Sequence, residues 1–272
     1  MSTLVDAARP ILADADLWPA VCVVGPLPPP SGGMANQCEQ LVRLLRDEGV
    51  EAELVCTNAS YRPAWAGRLP FLRAGFRLLP YLLRLWQAAG RAQVMHVLAN
   101  SGWSWHLCAA PALLIARLRG TPVIINYRGG NADAFFASAP RHVLRMLAGA
   151  SLRVTPSKFL FRVFSRYGLS AEVVPNIIDL SRFVPGRARM FGDAPHLVVT
   201  RNLEPIYDIP TAIRAFARIR DGFRCARLTI AGTGPELSRL EALVADLGLQ
   251  TAVSFTGRIA NADMPALYAS AD

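Results

Sequence analysis

The sequence predicts a doubly wound α/β protein built from two parallel-sheet units, the second cut short. Short apolar runs without clean alternation recur along the chain, each separated from the next by a stretch with helical periodicity, as in parallel strands covered on both faces. From Asp179 to Pro195 this rhythm lapses into Ser, Arg, Pro and Gly with scattered hydrophobes. It resumes for only about 80 residues, fewer than the ~100–150 that a stable doubly wound domain usually needs. The expected boundaries are a first domain over 1–180, a linker over 181–195 and a partial second domain over 196–272.

Ala20–Gly25 reads as a buried strand, Pro26–Gly33 as a Pro/Gly loop, Met34–Glu48 as a helix with Leu41, Leu44 and Leu45 on one side, and Glu51–Cys56 as the next strand, a first βαβ unit. Further strands are expected at Gln93–Ala99, Pro122–Tyr127, Ser151–Thr155 and Ala171–Val174, with helices near Trp103–Arg119, Asn131–Ala148 and Ser157–Tyr167. Past the lapse come strands at His196–Thr200, Arg227–Ala231 and Ala252–Thr256, and helices near Pro210–Arg220, Pro235–Leu247 and Asp263–Ser270.

Composition narrows the function classes. With 52% hydrophobic and 18% charged residues over 272 positions, the chain can bury a substantial core and is not disordered. Its net charge of +9 comes almost wholly from arginine, Lys158 being the sole lysine. A guanidinium fork pairs well with phosphate oxygens, although a bias of Arg over Lys also arises from genome composition alone. Nucleic acid is not an expected partner: the aromatics are not interleaved with lysines and no binding module is present.

Cys22, Cys38, Cys56, Cys108 and Cys225 lack metal-type spacing and read as small buried hydrophobes in a reducing compartment. His96, His106, His142 and His196 share no ligand spacing, so no metal or cofactor is expected. Asp6, Asp14 and Asp16 interrupt any signal peptide, and the long uncharged stretch from Ala92 to Ala116 is broken by polar residues at its middle. A cytoplasmic location is expected.

Two segments carry the clearest chemistry. Arg201-Asn202-Leu203-Glu204-Pro205 and Ala231-Gly232-Thr233-Gly234-Pro235-Glu236 each follow a strand and precede a helix, so each offers backbone N–H groups or a fixed cation to an anion, the makings of a phosphate cradle. The dinucleotide fingerprint is matched only in part, because Leu237 stands where its third glycine belongs. Elsewhere, Arg73, Arg77 and Arg84 fall within about 40° of one another on a helical wheel over 68–91. That stretch, with Pro80 expected to kink it, suits either an anionic membrane interface or a core-facing helix with a solvated arginine side.

Together, several motifs resemble the retaining glycosyltransferases of family 4. They are the loop ending in Ser31-Gly32-Gly33, the segment Val174-Pro175-Asn176-Ile177-Ile178-Asp179 with Phe183 four on, Arg201 after a strand, Ala231 to Glu236, and Phe255-Thr256-Gly257-Arg258. They occur in the family's order across essentially the whole chain. The resemblance implies a GT-B fold, two Rossmann-like domains facing across a cleft. The first would take a sugar or lipid-linked acceptor and the second a nucleotide-sugar, with no metal; cations and helix N-termini would neutralise the leaving diphosphate. Polysaccharide or glycolipid synthesis is the implied setting.

Carried over by position, Arg201 matches the diphosphate-binding arginine and Gly33, with Gly32, the glycine loop near the donor phosphate; Gly232 and Gly234 shape the turn beside the donor. Asn100, Trp103, His106 and Tyr127 are the acceptor-side candidates, since Asn100–Trp105 lies at a strand's C-terminal end, where open sheets place ligands. Trp103 could stack on a sugar, while Trp105 is expected to pack inward.

There are three departures. Tyr207 stands where the family usually has a second diphosphate-binding lysine, followed by Asp208 where glycine is usual. Arg128 stands where many relatives place a histidine near the sugar; it cannot act as a base at neutral pH but can hold a phosphate or hydroxyl, and is the candidate catalytic residue. The family's paired glutamates and closing helix are not in these 272 residues, which leads to an expectation of weak turnover or none. The alternative is an acceptor-binding remnant or subunit of a split enzyme.

Overall fold

The structure is a computed structural model, and it describes residues 18–29, 32–60, 73–184 and 194–272. Ser31, residues 68–72 of the expected basic helix, and most of the expected linker lie outside the described residues. Two compact units divide between Ile177 and Ile178.

The first unit runs β1 (Val21–Gly25), α1 (Gly33–Asp47), β2 (Ala52–Cys56), α2 (Arg73–Arg91), β3 (Val94–Ala99), a π turn (Trp105–Ala109) leading into α3 (Ala110–Arg119), and β4 (Val123–Tyr127). It continues with α4 (Ala132–Ser138), α5 (Arg141–Ala148), β5 (Leu152–Thr155), α6 (Lys158–Arg166) and β6 (Glu172–Val173). Its six strands are all parallel in the order β2-β1-β3-β4-β5-β6. The order reverses between β1 and β3, so the loops leaving those two strands diverge and open a crevice at their C-terminal ends.

Side chains alternate between the two faces of this sheet. Cys22, Val24, Met95, Val97, Ala99, Ile125 and Tyr127 join the large core with α2, α3, α5 and α6, whereas Val23 and Leu98 pack against Cys38 and Val42 of α1. A fully buried side chain of this kind contributes about 1.5–3 kcal/mol. Helix α3 stops at Gly120, whose φ of 71° lets the chain reverse while Thr121 N donates to Ala116 O.

Two local expectations are corrected. The helix over 131–148 is two helices, because Ala139 is extended before Pro140 and cannot continue the first. The helix that starts at Trp103 is interrupted by a π turn from Trp105: Ala110 N donates to Trp105 O, and Pro111, which has no N–H, follows. Helix α2 runs from Arg73 to Arg91 with Pro80 inside it.

The second unit holds β7 (His196–Val199), α7 (Ile209–Gly222), β8 (Arg227–Ala231), α8 (Leu237–Asp246), β9 (Val253–Gly257) and α9 (Met264–Ala269). Its three strands are parallel in simple sequence order, β7-β8-β9. Ile213 and Phe216 of α7 and Leu240 and Val244 of α8 close its core over Leu228 and Ile230.

Candidate functional site

In the first unit, the loops after β3 and β4 meet at the crevice edge. Asn100 Oδ1 accepts from Ser101 N at 2.8 Å, and a methyl group at Gly129 would lie 2.6 Å from Asn100 Oδ1 and 2.7 Å from Ser101 Oγ. The two loops thus touch through a position that only glycine can fill. Tyr127 is wholly buried between Phe136 and Phe164, so its ring belongs to the core; its hydroxyl alone reaches the edge, sharing a 2.8 Å hydrogen bond with Ser101 Oγ. Burial pushes the phenol up to about 12, which keeps it protonated and able to donate.

Arg128 continues β4 past this contact, its N–H donating to Ala99 O at 2.9 Å. Nη1 donates to Asn176 Oδ1 at 2.9 Å, while Nε is buried without a protein partner. Burial lowers the pKa of the guanidinium from its ordinary value, yet an arginine stays charged. Two residues back on the same strand, Asn126 meets His96 Nε2 of β3 at 3.2 Å, and Asn126 Oδ1 is buried without a partner. Burial first, and then the charge of Arg128, hold His96 down to about 4, so it is neutral at pH 7. Neither His96 nor Asn126 was singled out from the sequence as a site residue. The available signal was Asn126 and Arg128 at a spacing of two, which puts both on the α1 face of the sheet.

The segment carrying Asn176 is itself pinned: Gln37 of α1 donates through Nε2 to Ile177 O at 2.8 Å and accepts from Ile177 N at 3.0 Å. The loop before α1 is held by Asn58, which donates to Leu27 O and Pro29 O and accepts from Leu27 N. At Gly32 and Gly33 an added methyl group would meet no described residue within 4 Å, so packing against the described residues does not demand glycine there.

Trp103 is 78% exposed and meets the His106 ring edge-on at 6.2 Å; His106 in turn lies against Phe135. Trp105 points into the core, fully buried, as its place in the π turn requires. Asn100, Arg128 and the Tyr127 hydroxyl therefore gather at one edge, with Trp103 and His106 paired on the turn beside them.

In the second unit the turns after β7 and β8 are locked together by main chain. Leu203 N donates to Thr233 O and Glu236 N to Leu203 O, each at 3.1 Å. A methyl group on Gly232 would collide with the Arg201 carbonyl, and one on Gly234 with that of Leu203. These glycines allow two backbones to approach closely. Arg201 is exposed, and its guanidinium lies over the Tyr207 ring at 5.5 Å. Asp208 adopts φ 44° and ψ 48°, a left-handed conformation that glycine takes up without the strain a side chain brings.

The sequence matches the family described as Glycosyltransferase Family 4 over residues 31–182, and Glycosyl transferases group 1 over 187–272. It is 29% identical over 274 residues to a GDP-mannose-dependent alpha-(1-6)-phosphatidylinositol monomannoside mannosyltransferase of Mycobacterium tuberculosis, the match covering 92% of this chain and 70% of that one. Among solved structures, the fold is similar to sucrose-phosphate synthase from Thermosynechococcus elongatus, with a TM-score of 0.64, 16% identity, and coverage of 92% of this chain and 73% of that one. It is also similar to the apo form of the lipopolysaccharide outer core galactosyltransferase WaaB, with a TM-score of 0.59, 16% identity, and coverage of 92% and 71%. With the first family match spanning more than half of its residues and two parallel-sheet units of GT-B-like type, the chain belongs to Glycosyltransferase Family 4 and is a glycosyltransferase.

Proposed function

We propose that the protein transfers a sugar, with retention of anomeric configuration, from a nucleotide-sugar to a lipid-linked sugar acceptor. The acceptor binds at the crevice edge of the first unit and the donor at the joined turns of the second. The observation that carries this reading is the gathering of Asn100, Ser101 and Arg128 on the loops after β3 and β4, beside the β1–β3 point where the first sheet reverses its strand order. Ligands of open α/β sheets bind there. The mannosyltransferase relatives are named for GDP-mannose, which makes it the donor of choice, and for a phosphatidylinositol mannoside, which makes a glycolipid the acceptor class.

In the transfer, the acceptor oxygen bonds to the anomeric carbon as the bond from that carbon to the diphosphate oxygen breaks. The acceptor's proton leaves with the nucleoside diphosphate. Arg201 is suited to neutralise the departing diphosphate, because its cation is exposed and the turn that carries it is fixed by main-chain hydrogen bonds. Arg128 holds an acceptor hydroxyl or phosphate; as a permanent cation it orients rather than accepts a proton. Gly32 and Gly33 leave room for a phosphate to approach the start of α1. Peripheral contact with an anionic membrane surface brings the enzyme to a lipid-linked acceptor; among the described residues no helix is long and apolar enough to cross a membrane.

Thermal shift against GDP, UDP and ADP tests the donor, with GDP expected to raise the melting temperature most. Incubation with GDP-mannose and a mannosylated lipid, followed by NMR of the product anomer, tests transfer and retention separately from binding. A stabilising shift with UDP alone would remove GDP-mannose as donor, and an inverted anomer would remove retention.

A further inference from the structure

An apolar groove of about 650 Å³ lies on the outer side of the first unit. Leu79, Leu82, Leu83 and Trp86 of α2 form one wall, and Leu114 of α3 and Met146 of α5 contribute to the other. Leu79, Leu83, Trp86 and Leu114 are 62%, 57%, 44% and 54% exposed, although the opposite side of α2 already packs Tyr81, Leu85 and Ala88 into the core. This helix is therefore apolar on two sides. A cluster of large exposed hydrophobics of this kind marks an interaction site.

Both the location and the charge of the groove bear on its occupant. His106 lines it, and His106 is paired with Trp103 on the turn after β3, so the groove reaches the acceptor edge of the sheet. Arg119, from the far end of α3, lies over the Trp86 ring at 5.0 Å, and Gly90 has no side chain where that guanidinium rests. Neither α2, α5 nor the run from Trp105 to Arg119 contains a carboxylate. The apolar floor, Arg119 at its rim with no carboxylate on the helices that form it, and continuity with the acceptor edge together select a hydrocarbon chain attached to an anionic headgroup.

We propose that this groove holds a hydrocarbon chain of the anionic lipid acceptor, so that the enzyme reads the lipid tail as well as the sugar. The inference rests on the lipid-linked acceptor proposed above. It differs from simple docking on a membrane surface: chain length matters even when no bilayer is present.

The test uses the full chain with monomeric lysophosphatidylglycerols of octyl, decyl and dodecyl length, below their micelle concentrations, followed by calorimetry. Affinity is expected to rise about tenfold for each added pair of methylenes. The double variant Leu83→Glu/Leu114→Glu, at positions that are mostly exposed and safe for folding, should lose that dependence and bind the dodecyl lipid at least tenfold more weakly. Dodecylphosphocholine, with no net charge, should bind more weakly than the anionic lipid of equal length. Affinity independent of chain length, or a double variant that binds as tightly as the parent, overturns the proposal. So does binding confined to anionic vesicles, which would make the face a headgroup-docking surface only. GDP-induced stabilisation should be the same in parent and variant; its absence from both would count against the donor reading while the chain-length series still judges the groove.

Discussion

At the edge of the first sheet the polar groups are side chains held by other side chains, Arg128 by Asn176 and Asn126 by His96, whereas at the edge of the second the geometry is carried by main chain, with Gly232 and Gly234 seated against the carbonyls of Arg201 and Leu203. The first arrangement can be retuned by changing a charge or a hydrogen bond. The second tolerates almost no change of shape but, among the described residues, leaves its cation without a carboxylate clamp, resting on the Tyr207 ring. That division would suit the proposed roles, the first edge discriminating among acceptor hydroxyls and the second gripping a diphosphate.

The sharpest way to break the comparison is Gly232→Ala. The added methyl group strikes backbone that cannot swing aside, so a loss of about 3 kcal/mol or more is expected, read as a lower melting temperature. Gly33→Ala, where nothing stands within 4 Å, should change stability by about 0.5 kcal/mol or less; a fall in transfer at unchanged stability would report a ligand approaching that backbone.

Next in size is a pH effect confined to the first unit. His96 binds its proton near pH 4 when folded but at about 6.5 when unfolded, so between those values the unfolded chain holds more protons. Stability is therefore full above about pH 6.5 and declines as pH falls toward 4, by on the order of 3 kcal/mol. Urea unfolding of the parent and of His96→Gln at pH 7 and 4.5 measures it, and the variant should lack this component. Arg128→Ala should raise the His96 pKa, by NMR titration, because it removes a positive charge and opens the site to water.

Arg201→Ala should weaken GDP binding about tenfold without moving the melting temperature, since the side chain is exposed and its ring contact is worth little in water. Titration calorimetry with GDP checks it; an unchanged affinity would detach the donor from this turn. The smallest effect is expected from Asp208→Gly, which relieves a left-handed backbone and should gain about 0.5–1 kcal/mol.

Most of the strand and helix order was legible because parallel strands buried on both faces are near-continuous apolar runs, and those runs end at turn residues that sequence shows directly. Where expectation and structure part, the cause is local. Pro140 splits one helix, Pro111 follows a π turn, and β6 keeps only Glu172 and Val173, both exposed, where four residues read as strand. At the candidate site, Arg201 and the 231–236 glycines stand out in one dimension since a strand, a turn and a helix start are contiguous. Asn176 and Gln37 could not be linked to Arg128 that way: Gln37 and Ile177 are 140 positions apart.

By itself, the sequence determined two βα-alternating units, the turns that carry Arg201, Gly232 and Gly234, and the placement of Asn100, Trp103 and Arg128 at strand ends, because periodicity and turn chemistry are local properties of the chain. Tertiary structure alone decided the order β2-β1-β3-β4-β5-β6, the burial of Tyr127, the neutral state of His96 and the groove between α2 and α3. Each of these depends on which distant segments share a surface and how much water they exclude, and desolvation is a property of the packed molecule rather than of any residue in it.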